Sequence, residues 1–169
     1  NVPVDHEHIL DSDSLLSLTY LPKSLTVLGA GVIACEYASV FAALGVKVTM
    51  IEKYALPLGF IDPELTTRFV NSLARVGSEF LGGCNIKNVA WDGIQVVTTL
   101  EDGRTIASDK LLCALGRVAP LAPLQIARAG IEPNERGLLT VNEHCQTKVP
   151  HIYAVGDVIG YPALASTAM

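Results

Sequence analysis

Charge and aromatic side chains are scarce in this chain: Asp, Glu, Lys and Arg make up 17% of its 169 residues and Phe, Trp and Tyr 6%, while half are apolar. A polypeptide so poor in charge and so rich in apolar groups collapses in water, which excludes a disordered or low-complexity chain. Positive charge is the scarcer sign. With 12 Lys and Arg against 17 Asp and Glu, the net charge is −5. No local cluster of Lys and Arg reverses that balance, so neither nucleic acid nor an anionic membrane surface is expected as a partner. No apolar run approaches the roughly 20 residues that cross a bilayer, and the first residues carry neither a basic stretch nor an apolar signal core, so the chain reads as cytoplasmic. The four cysteines, Cys35, Cys84, Cys113 and Cys145, lack the CxxC or CxxxxC spacing of a redox pair or metal clamp and read as reduced structural thiols. His6 and His8 flank Glu7, but no further ligand is near, so they read as a solvated loop and no metal site is expected.

What is present is the length and greasiness of one domain with a real core. Residues 1–21 lack strand periodicity and read as a connecting segment with a short helical turn near Asp11 to Leu18. Leu-Thr-Val-Leu-Gly after Pro22 is a buried strand, followed by a helix from Val32 to Leu44 that Gly45 ends. A strand over 46–52 comes next. Asp62, Pro63 and Glu64 supply a cap, a first helical residue with preset φ and a carboxylate at the positive dipole end, so a second helix runs to about Arg75. Strand, helix, strand, helix implies a crossover connection and a parallel sheet. The middle changes character: 78–82, 86–91 and 94–100 are short runs of β-branched and apolar residues, separated by Gly82-Gly83 and by Asp92-Gly93. They read as an antiparallel meander inserted into the α/β unit. Residues 109–116 return a buried strand, and a helical stretch near Leu124 to Ala129 and strands at 137–141 and 152–157 finish the chain. The expected fold is Rossmann-like, with a central parallel sheet in a three-layer arrangement.

Gly29-Ala30-Gly31-Val32-Ile33-Ala34 fits the GxGxxG/A pattern, in which each small residue has a mechanical task. Gly29 permits the tight turn out of the strand, Gly31 lets the backbone approach a pyrophosphate, and Ala34 lets the helix pack close. The free amides of Val32 and Ile33 then face the phosphate charge. Glu52 ends the next strand, where a carboxylate can accept the adenine-ribose hydroxyls. A 2′-phosphate roughly 4 Å from that carboxylate meets repulsion of about 4 kcal/mol per charge pair at an effective dielectric near 20, so NAD is favoured over NADP. Lys53 beside it reads as an ordinary solvated charge.

The tail segment HIYAVGD ends in Gly156-Asp157, a second carboxylate suited to polyol hydroxyls. Together with ALGR at Ala114 to Arg117 and TKVPHIYAVGD at Thr147 to Asp157, it makes the chain resemble the flavoprotein family of two-dinucleotide oxidoreductases, the pyridine nucleotide-disulfide oxidoreductases. GAGVIACEYAS at Gly29 to Ser39 and VGDVIGYPALAS at Val155 to Ser166 are most similar to the soluble pyridine nucleotide transhydrogenases within it. Glu52 and Tyr54 instead resemble dihydrolipoamide dehydrogenase, the alternative reading, and a non-catalytic nucleotide-binding module is a third. The resemblance implies FAD held mostly by a separate domain of the same full-length chain, NAD(P) held here, and a homodimer. It divides the sequence into a linker (1–21), an NAD(P)-binding domain (22–145) and a segment returning to the FAD domain (146–169). It also implies that Glu36 lies near nicotinamide and flavin, Ile86 near the adenine and Gly116 beside the phosphate-ribose region, and that Gly156 and Asp157 face the flavin. Nothing else here accepts a hydride: there is no paired redox cysteine and no His with a placed carboxylate. The fragment alone is expected to be inactive.

Overall fold

The computed structural model describes residues 2–117 and 119–160, and the chain forms two compact units, Asn1–Gly116 and Arg117–Met169. The first unit carries strands β1 (Ile9–Leu10) and β2 (Ser24–Leu28), helix α1 (Val32–Ala43), β3 (Lys47–Ile51), helix α2 (Pro63–Arg75) and β4 (Glu79–Leu81). It continues with β5 (Ile86–Trp91), β6 (Val96–Leu100), β7 (Thr105–Ser108) and β8 (Lys110–Cys113). Five strands form one sheet in the order β1-β8-β2-β3-β4, parallel throughout, and β5-β6-β7 form an antiparallel meander.

Side-chain alternation turns the sheet into the middle of three layers. Leu25, Val27, Val48, Met50 and Leu112 pack with Ala34, Ala38 and Phe41 of α1 and Leu73 of α2. The alternate positions Leu28, Ile51 and Leu111 pack with Val89, Val96 and Leu100 of the meander. A strand buried on both faces has no polar side, which explains why β2, β3 and β8 are mostly apolar and do not alternate apolar with charged residues, Thr26 being the buried polar exception on β2.

The two helices end alike and begin differently. After α1, Gly45 N–H donates to Ala42 C=O and Val46 N–H to Phe41 C=O, both at 3.0 Å, the paired bonds of a Schellman closure. After α2, Gly77 and Ser78 do the same with Ala74 and Leu73. At the start of α2, the Asp62 carboxylate accepts from the Glu64 amide at 2.8 Å. At the start of α1, Gly31 has no side chain to offer and the helix is uncapped.

Several expectations for short segments change. The connecting segment supplies an edge strand: Ile9 and Leu10 pair with Leu111 and Leu112 and are buried. Its approach is set by Asp5, whose carboxylate accepts from the amides of Glu7, His8 and Ile9 at 2.7–2.9 Å. Burial works to raise the Asp5 pKa, and these amide donors outweigh it and hold the group below its ordinary value. The helical turn within that segment is a 3-10 turn at Ser14–Ser17. The run at 78–82 belongs to the parallel sheet, as β4 beside β3, not to the meander, whose third strand is β7.

In the second unit, Ala122–Leu124 and Ile126–Ala129 are 3-10 turns. The strands expected at 137–141 and 152–157 do not form. Leu139 makes one backbone bond to Val158, and Gln146 and Tyr153 form an isolated bridge, so no ladder is built. Gly156–Ile159 is a 3-10 turn. Its small core holds Ile131, Leu139 and Ala154.

Candidate functional site

At the carboxyl ends of β2, β3 and β8, where an open parallel sheet presents its loops to a ligand, the first unit opens a cleft of about 640 Å³. Its floor is the turn from β2 into α1. Gly29 takes φ +98°, and a Cβ built there would stand 2.5 Å from the carbonyl oxygen of Ala114, just after β8. Glycine is therefore required twice over at this position, by the left-handed backbone and by the close approach of a neighbouring strand. Gly31 differs. Its backbone is ordinary and extended, and a Cβ would have nothing within 4 Å, because it would project into open space where the cleft is lined by this residue.

An uncapped helix end beside an open glycine is the arrangement that an external anion completes, since the first amides of a helix have no partner within it. Beneath it lies Cys35, whose thiol donates to the Ala30 carbonyl at 3.6 Å. Burial, then the carboxylates of Glu36 and Glu52, push its pKa up to about 11. No thiolate competes with an incoming phosphate there.

Glu52 stands one residue past β3 and is fixed through its backbone: its amide donates to Leu81 C=O at 3.0 Å and its carbonyl accepts from Cys84 N–H at 2.9 Å. Its carboxylate accepts from the Tyr54 amide at 3.3 Å, which settles its orientation at the cleft. Lys53 places its ammonium 4.8 Å above the Tyr54 ring. Gly29, Gly31, Glu52, Ile86 and Gly116 thus line one cleft although they come from distant parts of the sequence. Val32, at the first position of α1, is half exposed. Ile33 and Glu36 lie on another surface of α1, in a shallower depression with Leu16, Tyr37 and Val40. Gly156 and Asp157 belong to the second unit, in its last 3-10 turn, with Gly156 buried and Asp157 exposed. Sequence reasoning missed Asn85, Lys87 and Leu115 as lining residues. No local motif marks Asn85 and Lys87, which strand pairing brings to the cleft, whereas Leu115 lies within the ALGR segment beside Gly116.

Residues 3–169 match the family described as pyridine nucleotide-disulphide oxidoreductase. A soluble pyridine nucleotide transhydrogenase from Mycobacterium tuberculosis is 45% identical over 168 residues, covering 99% of this chain and 36% of the relative. One from Hahella chejuensis is 41% identical over the same shares. This chain therefore spans about a third of the length of these relatives. Among solved structures, LpdA from Mycobacterium tuberculosis superposes with a TM-score of 0.90 at 32% identity, over 99% of this chain and 37% of that one. The HOCl-induced flavoprotein disulfide reductase RclA from Escherichia coli gives 0.84 at 34% identity, over 95% and 36%. Similarity that runs along almost the whole chain, in sequence and in fold, is with proteins of one kind, and the chain belongs to the pyridine nucleotide-disulphide oxidoreductase family.

Proposed function

We propose that this chain is the NAD(P)-binding part of an FAD-dependent oxidoreductase that passes hydride between pyridine nucleotide and flavin, acting as a soluble transhydrogenase. The observation that carries the reading is the open, uncapped Gly31 turn in the same cleft as Glu52. The residues fit a dinucleotide: the cleft volume falls in the ordinary range for a small-molecule site, and the open glycine leaves room for a diphosphate. In this reading the amides of Val32 and Ile33 hold the diphosphate, and the Glu52 carboxylate accepts the hydroxyls of the adenine ribose. Ile86 packs near the adenine, and Gly116 borders the ribose and phosphate. A bound flavin would supply the chemistry that gives or takes the hydride. Glu36, exposed on α1, is assigned to the nicotinamide end; Gly156 and Asp157 are assigned to the flavin side. The protein's contribution is position and electrostatics. Residues 1–21 and 146–169 are read as the connections to the flavin domain and 22–145 as the nucleotide domain, in a full-length protein that is a homodimer.

The test is reduction of thio-NAD by NADPH with the purified full-length protein, alongside the same assay on this fragment. Turnover by the full-length protein and none by the fragment is expected, and turnover by the fragment without flavin would refute the division of labour. A disulfide reductase is the second reading, supported by Glu52 with Tyr54 and by the likeness to RclA. A CxxxxC pair upstream in the full-length sequence would favour it.

A further inference from the structure

The charged side chains lining the cleft, among the described residues, are Glu52, Lys53 and Lys87: one carboxylate against two ammonium groups. The balance is unexpected for a site whose carboxylate selects an unphosphorylated ribose. Lys87 reaches the cleft through an irregularity of the meander. Ile86 pairs with Leu100 and Asn88 with Thr99, so Lys87 is the extra residue of a β-bulge and faces no partner on β6. A bulge re-aims the side chain that it carries. Lys87 is exposed, and no described carboxylate lies within ion-pair distance of its ammonium. The other cations nearby are engaged. Lys53 sits over the Tyr54 ring at 4.8 Å, and Arg104 is held at 2.8 Å by Asp102 and lies 3.0 Å from the Cys84 sulfur.

We propose that Lys87, carried into the cleft by the bulge in β5, is the specificity residue that admits a 2′-phosphorylated nucleotide to a site where Glu52 favours the unphosphorylated one. The inference rests on the nucleotide reading of the cleft. An ammonium free of carboxylate partners offsets part of the repulsion between Glu52 and a 2′-phosphate dianion, while NAD, which carries no charge at that ribose, gains nothing from it. One cleft then serves both nucleotides.

The test is calorimetric titration of the full-length protein with NADH and with NADPH, for the natural sequence, Lys87→Gln and Lys87→Arg. Lys87→Gln is expected to weaken NADPH by about tenfold, the size of a charge-assisted contact at an exposed site. NADH is expected to stay within about twofold, and Lys87→Arg to restore most of the NADPH affinity. Raising the salt concentration should weaken NADPH binding more than NADH binding, and this difference should shrink in Lys87→Gln. Equal losses for both nucleotides, or no loss for either, would overturn the role of Lys87 while leaving the nucleotide site in place. Failure of the natural protein to bind NADPH while binding NADH would overturn it too. Failure to bind NADH at all would instead refute the reading of the cleft itself.

Discussion

Gly29 and Gly31 stand two residues apart in one turn, yet substitution by alanine should have opposite consequences. At Gly31 the backbone is already in a conformation that alanine adopts, and its Cβ would meet nothing within 4 Å. Alanine is the poorer helix cap, by up to about 1 kcal/mol, but it restricts the unfolded chain and regains about 0.4–1 kcal/mol. The net change should fall within about 1 kcal/mol, or roughly 2–4 °C in midpoint for a chain of this size. The methyl does intrude where a diphosphate would approach the helix. Overpacking of this kind costs about 1–3 kcal/mol, which weakens NADH binding by roughly 5- to 150-fold.

At Gly29 the fold itself resists. The left-handed backbone costs about 1–2 kcal/mol for a side chain. The methyl would lie 2.5 Å from a backbone oxygen that cannot swing away, adding about 1–3 kcal/mol. Gly29→Ala should therefore lower the thermal midpoint by roughly 4–20 °C. Thermal unfolding and NADH titration on both variants separate the two roles. If Gly31→Ala binds NADH normally, or unfolds as readily as Gly29→Ala, the assignment of Gly31 to ligand approach rather than to the fold is wrong.

Thr26, on the central strand β2, is fully buried and its hydroxyl has no hydrogen-bond partner. Thr26→Val removes the unsatisfied group at nearly constant volume and should stabilise by about 1 kcal/mol; a lower midpoint in thermal unfolding would contradict this. Cys35, with its pKa raised from 9.0 to about 11, should react with iodoacetamide at pH 8 about a hundredfold more slowly in the folded chain than in denaturant. A folded-state pKa above the unfolded one stabilises fully below pH 9, and that contribution is lost as pH rises from 9 to 11. Cys35→Ala should accordingly lose less stability over that interval, as followed by denaturant unfolding. Asp62→Ala removes the α2 cap and should cost about 1 kcal/mol without altering NADH affinity, since Asp62 is no part of the cleft lining. A change in affinity would show that α2 is coupled to the site.

Features that depend on residues close along the chain are legible from the residues alone. The β2 turn, α1 and β3 form one contiguous unit, so Gly29, Gly31 and Glu52 could be read from spacing and placed in one site. Asp62 and Pro63 announced α2 to the residue because capping is a local hydrogen bond. Segments whose structure depends on a neighbour could not be read in this way. Ile9 and Leu10 are a strand because β8 offers a free edge, and β4 joins the parallel sheet because β3 lies beside it. Residues 137–141 have a strand's composition but no ladder, and stay irregular. The cleft divides along the same line. Its glycine floor is written locally, whereas Ile86, Lys87 and Gly116 reach it only when β5 and β8 take their places. Tertiary structure decided those positions because strand pairing is satisfied between distant segments, and a bulge exists only relative to the strand it faces.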